Sequence, residues 1–387
     1  MRRALALWLL LFGVYAATLG LEDHRGDEPH YLLAVESLAD DGDVDVANQY
    51  AERGVEPPGH LTDGRLNEPY GVGFPMLILP AYALGGDTAV ELFLAAIAAL
   101  AVAFAYRLAL RAAPDPWALG AAAAAGLSPP FLAYGTAVYP ELSAAAALTG
   151  AALLAVKLDE AATWRRAFGC FALLGALPWL GVRFVPAGIV IGVLAARALW
   201  RSRKRTLTVG AVELSLFGVA VCVGINEALY NGPTPYSAAD SATGASDAAD
   251  YAERLPRLAT LFVDSDFGLL RWAPLFALAL AGLWWLWRSR HDRLARAVSQ
   301  LHEIELTAGL CAAVLGVQLV VAVLLAPDTH GDWFPGRHLL PALPLAVPLV
   351  ALGVRRAPRA GLALALVTLG ISVWLYADVR WGGGTLA

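Results

Sequence analysis

The chain has 387 residues, 58% hydrophobic and only 16% charged, with a mean hydropathy of +0.58. Soluble globular proteins carry about 25% charged residues, so the composition excludes an ordinary soluble enzyme, and a net charge of −5 gives no polycationic surface for nucleic acid. The three cysteines, Cys170, Cys222 and Cys311, all fall in apolar stretches, which argues against a disulfide framework or a thiolate metal site.

Long apolar blocks alternate with short polar ones, the pattern of a polytopic helical membrane protein. Eleven spans are expected, at roughly 4–21, 88–110, 115–133, 141–157, 167–182, 184–200, 208–230, 267–287, 305–326, 338–354 and 360–378. Pro178, Gly181 and Pro186 leave the fifth and sixth open to a second reading, as one broken helix or a re-entrant turn. Arg and Lys cluster at 2–3, 107–111, 157–166, 197–205, 288–296 and 355–359, which holds 19 of the 28 basic residues. By the positive-inside rule these ends face the cytoplasm. The amino terminus is then inside, the carboxyl terminus outside, and the first span is read as an uncleaved signal anchor in a plasma membrane.

Two outer loops are long, 22–87 and 231–266. The first is acidic and opens with Gly26-Asp27-Glu28-Pro29-His30-Tyr31. Asp27 suits a helix cap and Pro29 a first helical turn. Tyr31, Leu32, Val35, Leu38 and Ala39 then form an apolar stripe at helical spacing. The expected product is a short amphipathic helix lying on the membrane, with Asp27 and Glu28 at the lipid–water boundary. The segment Tyr70 to Pro80, broken by Gly and Pro, is expected to be a second surface-lying piece. Three further polar features share that side: Tyr139-Pro140-Glu141, Arg183, and His330 to His338 with Arg337. Ionisable groups near a bilayer are costly and mark function. The bland alternatives are a solvated acidic loop, acids at helix amino ends, and arginines that snorkel. His30, His60, His330 and His338 match no metal-ligand spacing. Ser237 to Asp250, rich in Ala, Ser and Asp, is expected to be a flexible or lid-like loop.

On these residues the chain resembles the GT-C superfamily of polytopic glycosyltransferases, in particular the branch of protein O-mannosyltransferases and lipid A aminoarabinose transferases. The matching segments are Gly26 to Tyr31, Val138-Tyr139-Pro140-Glu141 and Gly336-Arg337-His338-Leu339-Leu340-Pro341. Tyr230-Asn231-Gly232-Pro233 and Phe267 to Pro274 resemble segments of bacterial relatives. Their order and common sidedness carry the likeness, since each alone is short.

The resemblance implies one all-α membrane domain that moves a sugar from a polyprenyl-phosphate donor to an acceptor hydroxyl of a glycan, lipid or protein, with inversion, at the outer face. It implies Asp27 as the base, with Glu28 and Glu141 as accompanying acids. Arg337, Arg183 and His338 are expected at the donor phosphate, and His30, Tyr31 and Tyr139 at the acceptor or sugar. It leaves room for a divalent cation (Mg2+ or Mn2+) without requiring one. It also implies a chain without the large soluble carboxyl-terminal domain of some relatives, so that the loops recognise the acceptor. A secondary transporter and a noncatalytic scaffold of the same fold remain as alternatives. The transporter reading expects an internal repeat and mid-membrane charge. No repeat is evident, and Glu213 and Glu227 are the acids to be placed.

Overall fold

The computed structural model describes residues 1–21, 24–54, 61–62, 64–238, 248–289, 299–331 and 333–382. It is helical throughout apart from a two-residue hairpin, Leu61–Thr62 with Arg65–Leu66. In chain order the helices are α1 (Arg2–Ala16), α2 (Glu28–Asp40), α3 (Ala47–Arg53), α4 (Gly73–Ala112), α5 (Trp117–Gly126), α6 (Pro129–Tyr134) and α7 (Pro140–Glu160). They continue with α8 (Trp164–Leu180), α9 (Val185–Arg201), α10 (Arg205–Tyr230), α11 (Ala248–Glu253), α12 (Arg257–Val263), α13 (Leu269–Trp272) and α14 (Ala277–Ser289). The last are α15 (Ser299–Val320), α16 (Val347–Arg356) and α17 (Pro358–Ala377).

Among the described residues six helices are long and apolar enough to cross a membrane: Gly73–Ala112, Pro140–Glu160, Val182–Arg201, Arg205–Tyr230, His302–Leu325 and Pro358–Gly382. Their burial sorts them by position. The apolar stretch of α7 is 89% buried, against 17% for α10 and 22% for the last. Ala and Gly line α7, so α4, α8 and α9 approach it closely and it forms the central post. On α10 and α17 large apolar residues such as Phe217, Leu366 and Trp374 face outward, as lipid-facing side chains do.

Several of the eleven expected spans are interrupted in the structure. Residues 115–133 split into α5 and α6 at Ser128-Pro129. Residues 267–287 are broken near Pro274 into a short turn and α14. Most of the tenth expected span is turn and 3-10 helix up to Ala346, leaving α16 only ten residues long, about 15 Å of rise. Prolines within apolar runs remove backbone donors and interrupt the helix, while hydropathy stays high. The fifth and sixth spans are two helices, α8 and α9, separated at Gly181 rather than one broken helix.

Two expectations for the first outer loop change. The piece around Tyr70 to Pro80 is a regular helix from Gly73, in spite of Pro80, and the break comes at Gly85–Gly86. Gly86 has φ +63° and ψ −151°, a conformation left to glycine. The predicted amphipathic helix is α2, but it does not lie free on a lipid surface. Tyr31, Leu32 and Val35 enter the main core, and Leu33 and Ala34 close a second small core with Val46, Tyr50 and Leu66. Of the predicted stripe, Ala39 is exposed. The residues 22–23, at the loop's start, and most of Ser237 to Asp250 lie outside the described residues.

Candidate functional site

Four charged side chains from distant parts of the chain meet in one network. Asp27 comes from the start of α2, Glu141 from the first turn of α7, Arg183 from the short turn before α9, and Arg337 from the turn before α16. Arg337 Nη2 donates to Asp27 Oδ2 at 2.5 Å, and its Nε donates to Glu141 Oε1 at 2.8 Å. Arg183 Nη2 donates to the same Glu141 oxygen at 2.8 Å. Glu141 and Arg337 are 1% and 3% exposed, whereas the Asp27 side chain is 24% exposed. Buried charges are tolerated when paired and hydrogen-bonded. Two carboxylates and two guanidiniums give the quartet no net charge.

Local structure explains each placement. Pro140 sits in the first turn of α7, where it costs no helical hydrogen bond, and it holds Glu141 at the positive end of the most buried helix. Gly336, at φ +91°, supplies the left-handed turn just before Arg337. That turn is fixed on both sides: Tyr134 Oη donates to the Phe334 carbonyl at 2.6 Å, and Gln318 Nε2 to the His338 carbonyl at 2.8 Å. The rings of Tyr139 and Trp333 lie against the guanidinium of Arg337 at 4.2 and 5.0 Å. Cation–π contacts of this kind gain strength where water is excluded.

The structure therefore brings together Asp27, Glu141, Arg183, Arg337 and Tyr139. Asp27 precedes α2 as foreseen, yet its side chain makes no cap, because Arg337 takes the carboxylate instead. Glu28 is neither beside the guanidiniums nor free. Its Oε2 accepts from the Val138 backbone N–H at 2.7 Å, which ties α2 to the entry of α7. Tyr139 Oη donates to the Arg25 carbonyl at 3.0 Å and makes the same tie. Burial pushes the Glu28 carboxyl above the usual range, and the Val138 N–H pulls in the opposite direction.

His30 and Tyr31 stand one layer back. His30 Nδ1 bonds the Tyr50 hydroxyl, which donates to Glu68 Oε1 at 2.5 Å. The His30 ring stacks on Tyr70 at 5.2 Å, and Tyr31 packs on Tyr70 and Phe74. His338 is buried near the network, with Nε2 lacking a hydrogen-bond partner among the described residues. Sequence reasoning missed Tyr70, whose hydroxyl faces Asp27. Trp333 falls inside the His330 to His338 segment without being singled out there. Alternating aromatics around each charged residue were the available signal. No cluster of three or more His, Cys, Asp or Glu side chains among the described residues is arranged to hold a metal ion. Glu141 Oε1 carries two arginines, while its Oε2 is buried without a hydrogen-bond partner among the described residues.

The other face of α2, with Pro29, Leu32 and Glu36, lines a separate open cavity of about 630 Å³ together with His24, Asp87 and Glu91. There His24 Nε2 pairs with Glu91 Oε1 at 2.9 Å, and this bond raises the His24 pKa above its ordinary 6.5. Glu213 and Glu227 lie on α10, away from the quartet.

This is a polytopic helical membrane fold. Within that type the chain is similar to ArnT from Cupriavidus metallidurans. It matches the crystal structure bound to undecaprenyl phosphate with a TM-score of 0.60 at 14% identity, and the apo crystal structure with 0.59 at 16%. The alignments cover 98% and 99% of this chain and 66% of ArnT in each case, so the chain spans about two thirds of the length of the protein it matches. No protein-family model and no curated protein matches the sequence.

Proposed function

We propose that the protein is a membrane glycosyltransferase that transfers a sugar from a polyprenyl-phosphate donor to an acceptor hydroxyl at the outer face of the membrane. The observation that carries the reading is the quartet itself: a partly exposed carboxylate held by the buried Arg337, which shares one acid with the partly exposed Arg183. The similarity to a structure bound to undecaprenyl phosphate supports the choice of lipid.

In this reading Arg337 and Arg183 receive the donor phosphate, since planar guanidiniums suit two-oxygen anions. Glu141 is the residue that spaces them, not a base or metal ligand. Asp27 takes the proton of the acceptor hydroxyl. The acceptor oxygen bonds to the anomeric carbon, the carbon–phosphate-oxygen bond breaks, and its electron pair leaves with the phosphate. Attack opposite the leaving group inverts the centre. Glu28 holds the two helix starts in register, and Tyr70, Tyr31 and His30 wall the sugar side.

The test uses protein in lipid nanodiscs with a panel of polyprenyl-phosphate sugars. Wild type is expected to release sugar to an acceptor or to water, and Asp27→Asn to bind donor but turn over about 10²–10⁴-fold more slowly, the usual range for loss of a general base. Equal turnover by both proteins removes Asp27 as the base. Donor-independent movement of a solute across vesicles, without sugar release, supports a transporter instead.

A further inference from the structure

We propose that Asp27 and the phosphate of the lipid-linked donor compete for Arg337, so that donor binding releases the base and the return of Asp27 expels the phosphate product. The inference rests on the glycosyltransferase reading and adds to it an internal switch of ligands.

The two roles assigned to Asp27 and Arg337 conflict in the resting geometry. The Nη2 edge that a phosphate oxygen needs is already donated to Asp27 Oδ2 at 2.5 Å, while Nε is donated to Glu141. With Nε committed to Glu141, a two-point phosphate contact has to use Nη1 and Nη2, and there it meets the Asp27 carboxylate, a like charge, so one of the pair moves. Arg337 is the fixed member: it is 3% exposed, bonded to Glu141, pressed between Tyr139 and Trp333, and carried on a turn anchored by Tyr134 and Gln318. Asp27 is the movable member, at a helix start and 24% exposed.

Charge supplies the direction of each step. The quartet is neutral before the donor arrives. A donor phosphodiester brings one negative charge and displaces one carboxylate from Arg337, so the two guanidiniums keep two anionic partners. Asp27, released, faces the acceptor. After transfer it carries the acceptor's proton, and the product phosphate monoester, with a second pKa near 6, holds up to two negative charges. A proton lost from Asp27 to water restores its carboxylate, which retakes Nη2 and weakens the hold on the product. Without such a competitor, two arginines would retain the product more tightly than the donor.

Competition lowers apparent affinity by the fraction of time the site is free. A pair closed about nine-tenths of the time weakens phosphate binding about tenfold. The experiment measures binding of undecaprenyl phosphate to wild type, Asp27→Asn, Asp27→Ala and Glu28→Gln in nanodiscs of neutral lipid. Asp27→Asn keeps an oxygen for Arg337 but loses the ionic hydrogen bond, which is roughly twice as strong as a neutral one. Glu28→Gln removes a nearby charge that does not touch Arg337, and its amide oxygen still accepts from Val138. Both Asp27 variants are expected to bind about tenfold more tightly with slower dissociation, and Glu28→Gln to stay within about twofold of wild type. Unchanged affinity in the Asp27 variants, or equal tightening by Glu28→Gln, overturns the competition and leaves the donor assignment standing. Failure of all four proteins to bind undecaprenyl phosphate removes the donor assignment beneath it.

Discussion

Glu141 is the side chain on which the buried Arg337 and the partly exposed Arg183 both depend. Removing one partner of a buried pair leaves uncompensated charge, at a cost of about 3–5 kcal/mol. Glu141→Ala is therefore expected to lower the melting temperature sharply, and Glu141→Gln, which keeps an acceptor oxygen, to lower it less. Melting curves in detergent decide the matter, and two variants that melt like wild type would show that the quartet adds nothing to stability. At this scale the sequence was informative about membership and silent about pairing. Asp27, Glu141, Arg183 and Arg337 were all picked out as polar groups at helix ends on one side. Nothing in their spacing says that Asp27 bonds Arg337, because that contact spans 310 positions. The cap reading of Asp27 went wrong for a related reason. The helix does start where expected, but a guanidinium is a stronger partner for a carboxylate than a backbone N–H.

Helices are joined here by glycines whose purposes differ. At Gly86 a Cβ would meet no atom within 4 Å, so an alanine is opposed only by the backbone conformation. Gly86→Ala is expected to cost about 1–3 kcal/mol. At Gly282 and Gly353 the reverse holds. A Cβ would sit 2.1 Å from the Leu349 carbonyl oxygen and 2.4 Å from that of Leu278, because α14 and α16 touch backbone to backbone. Gly282→Leu is expected to push these helices apart and abolish a monodisperse peak in size-exclusion chromatography, while Gly120→Ala, in open space, leaves it intact. The junction of α1, α2 and α4 carries a pH term. His24 faces Glu91 and Asp87 on α4 and Glu28 on α2. Its raised pKa means that the stabilisation is full below the unfolded value of 6.5 and is lost as pH rises through the folded one. Wild type is expected to lose melting temperature as pH rises above 6.5, a loss that His24→Gln lacks. Helix positions were legible from hydropathy, but interruptions were not. Windows averaged over Pro129, Pro274 and Pro344 remain apolar although the backbone turns there.

For the molecule as a whole, low charge and clustered arginines were enough to give a polytopic helical membrane fold. They did not give the distribution of burial, in which α7 is the post and α10 and α17 face lipid, since both kinds of helix are equally apolar. The expected orientation, with the arginine-rich ends cytoplasmic, predicts that cysteines introduced at Arg203 and Gly42 label from opposite sides of intact spheroplasts. Labelling of both from outside would reverse that reading. The quartet also has a history within each newly made chain. Asp27 and Glu141 leave the ribosome early, Arg183 soon after, and Arg337 last, 154 residues behind Arg183. At about 5–20 residues per second that interval is about 8–30 s. During it Glu141 holds a single arginine and Asp27 holds none. The quartet is therefore incomplete until Arg337 has been made, and a chain cut short before Arg337 is inserted without it. Timing, as much as geometry, governs when the quartet exists.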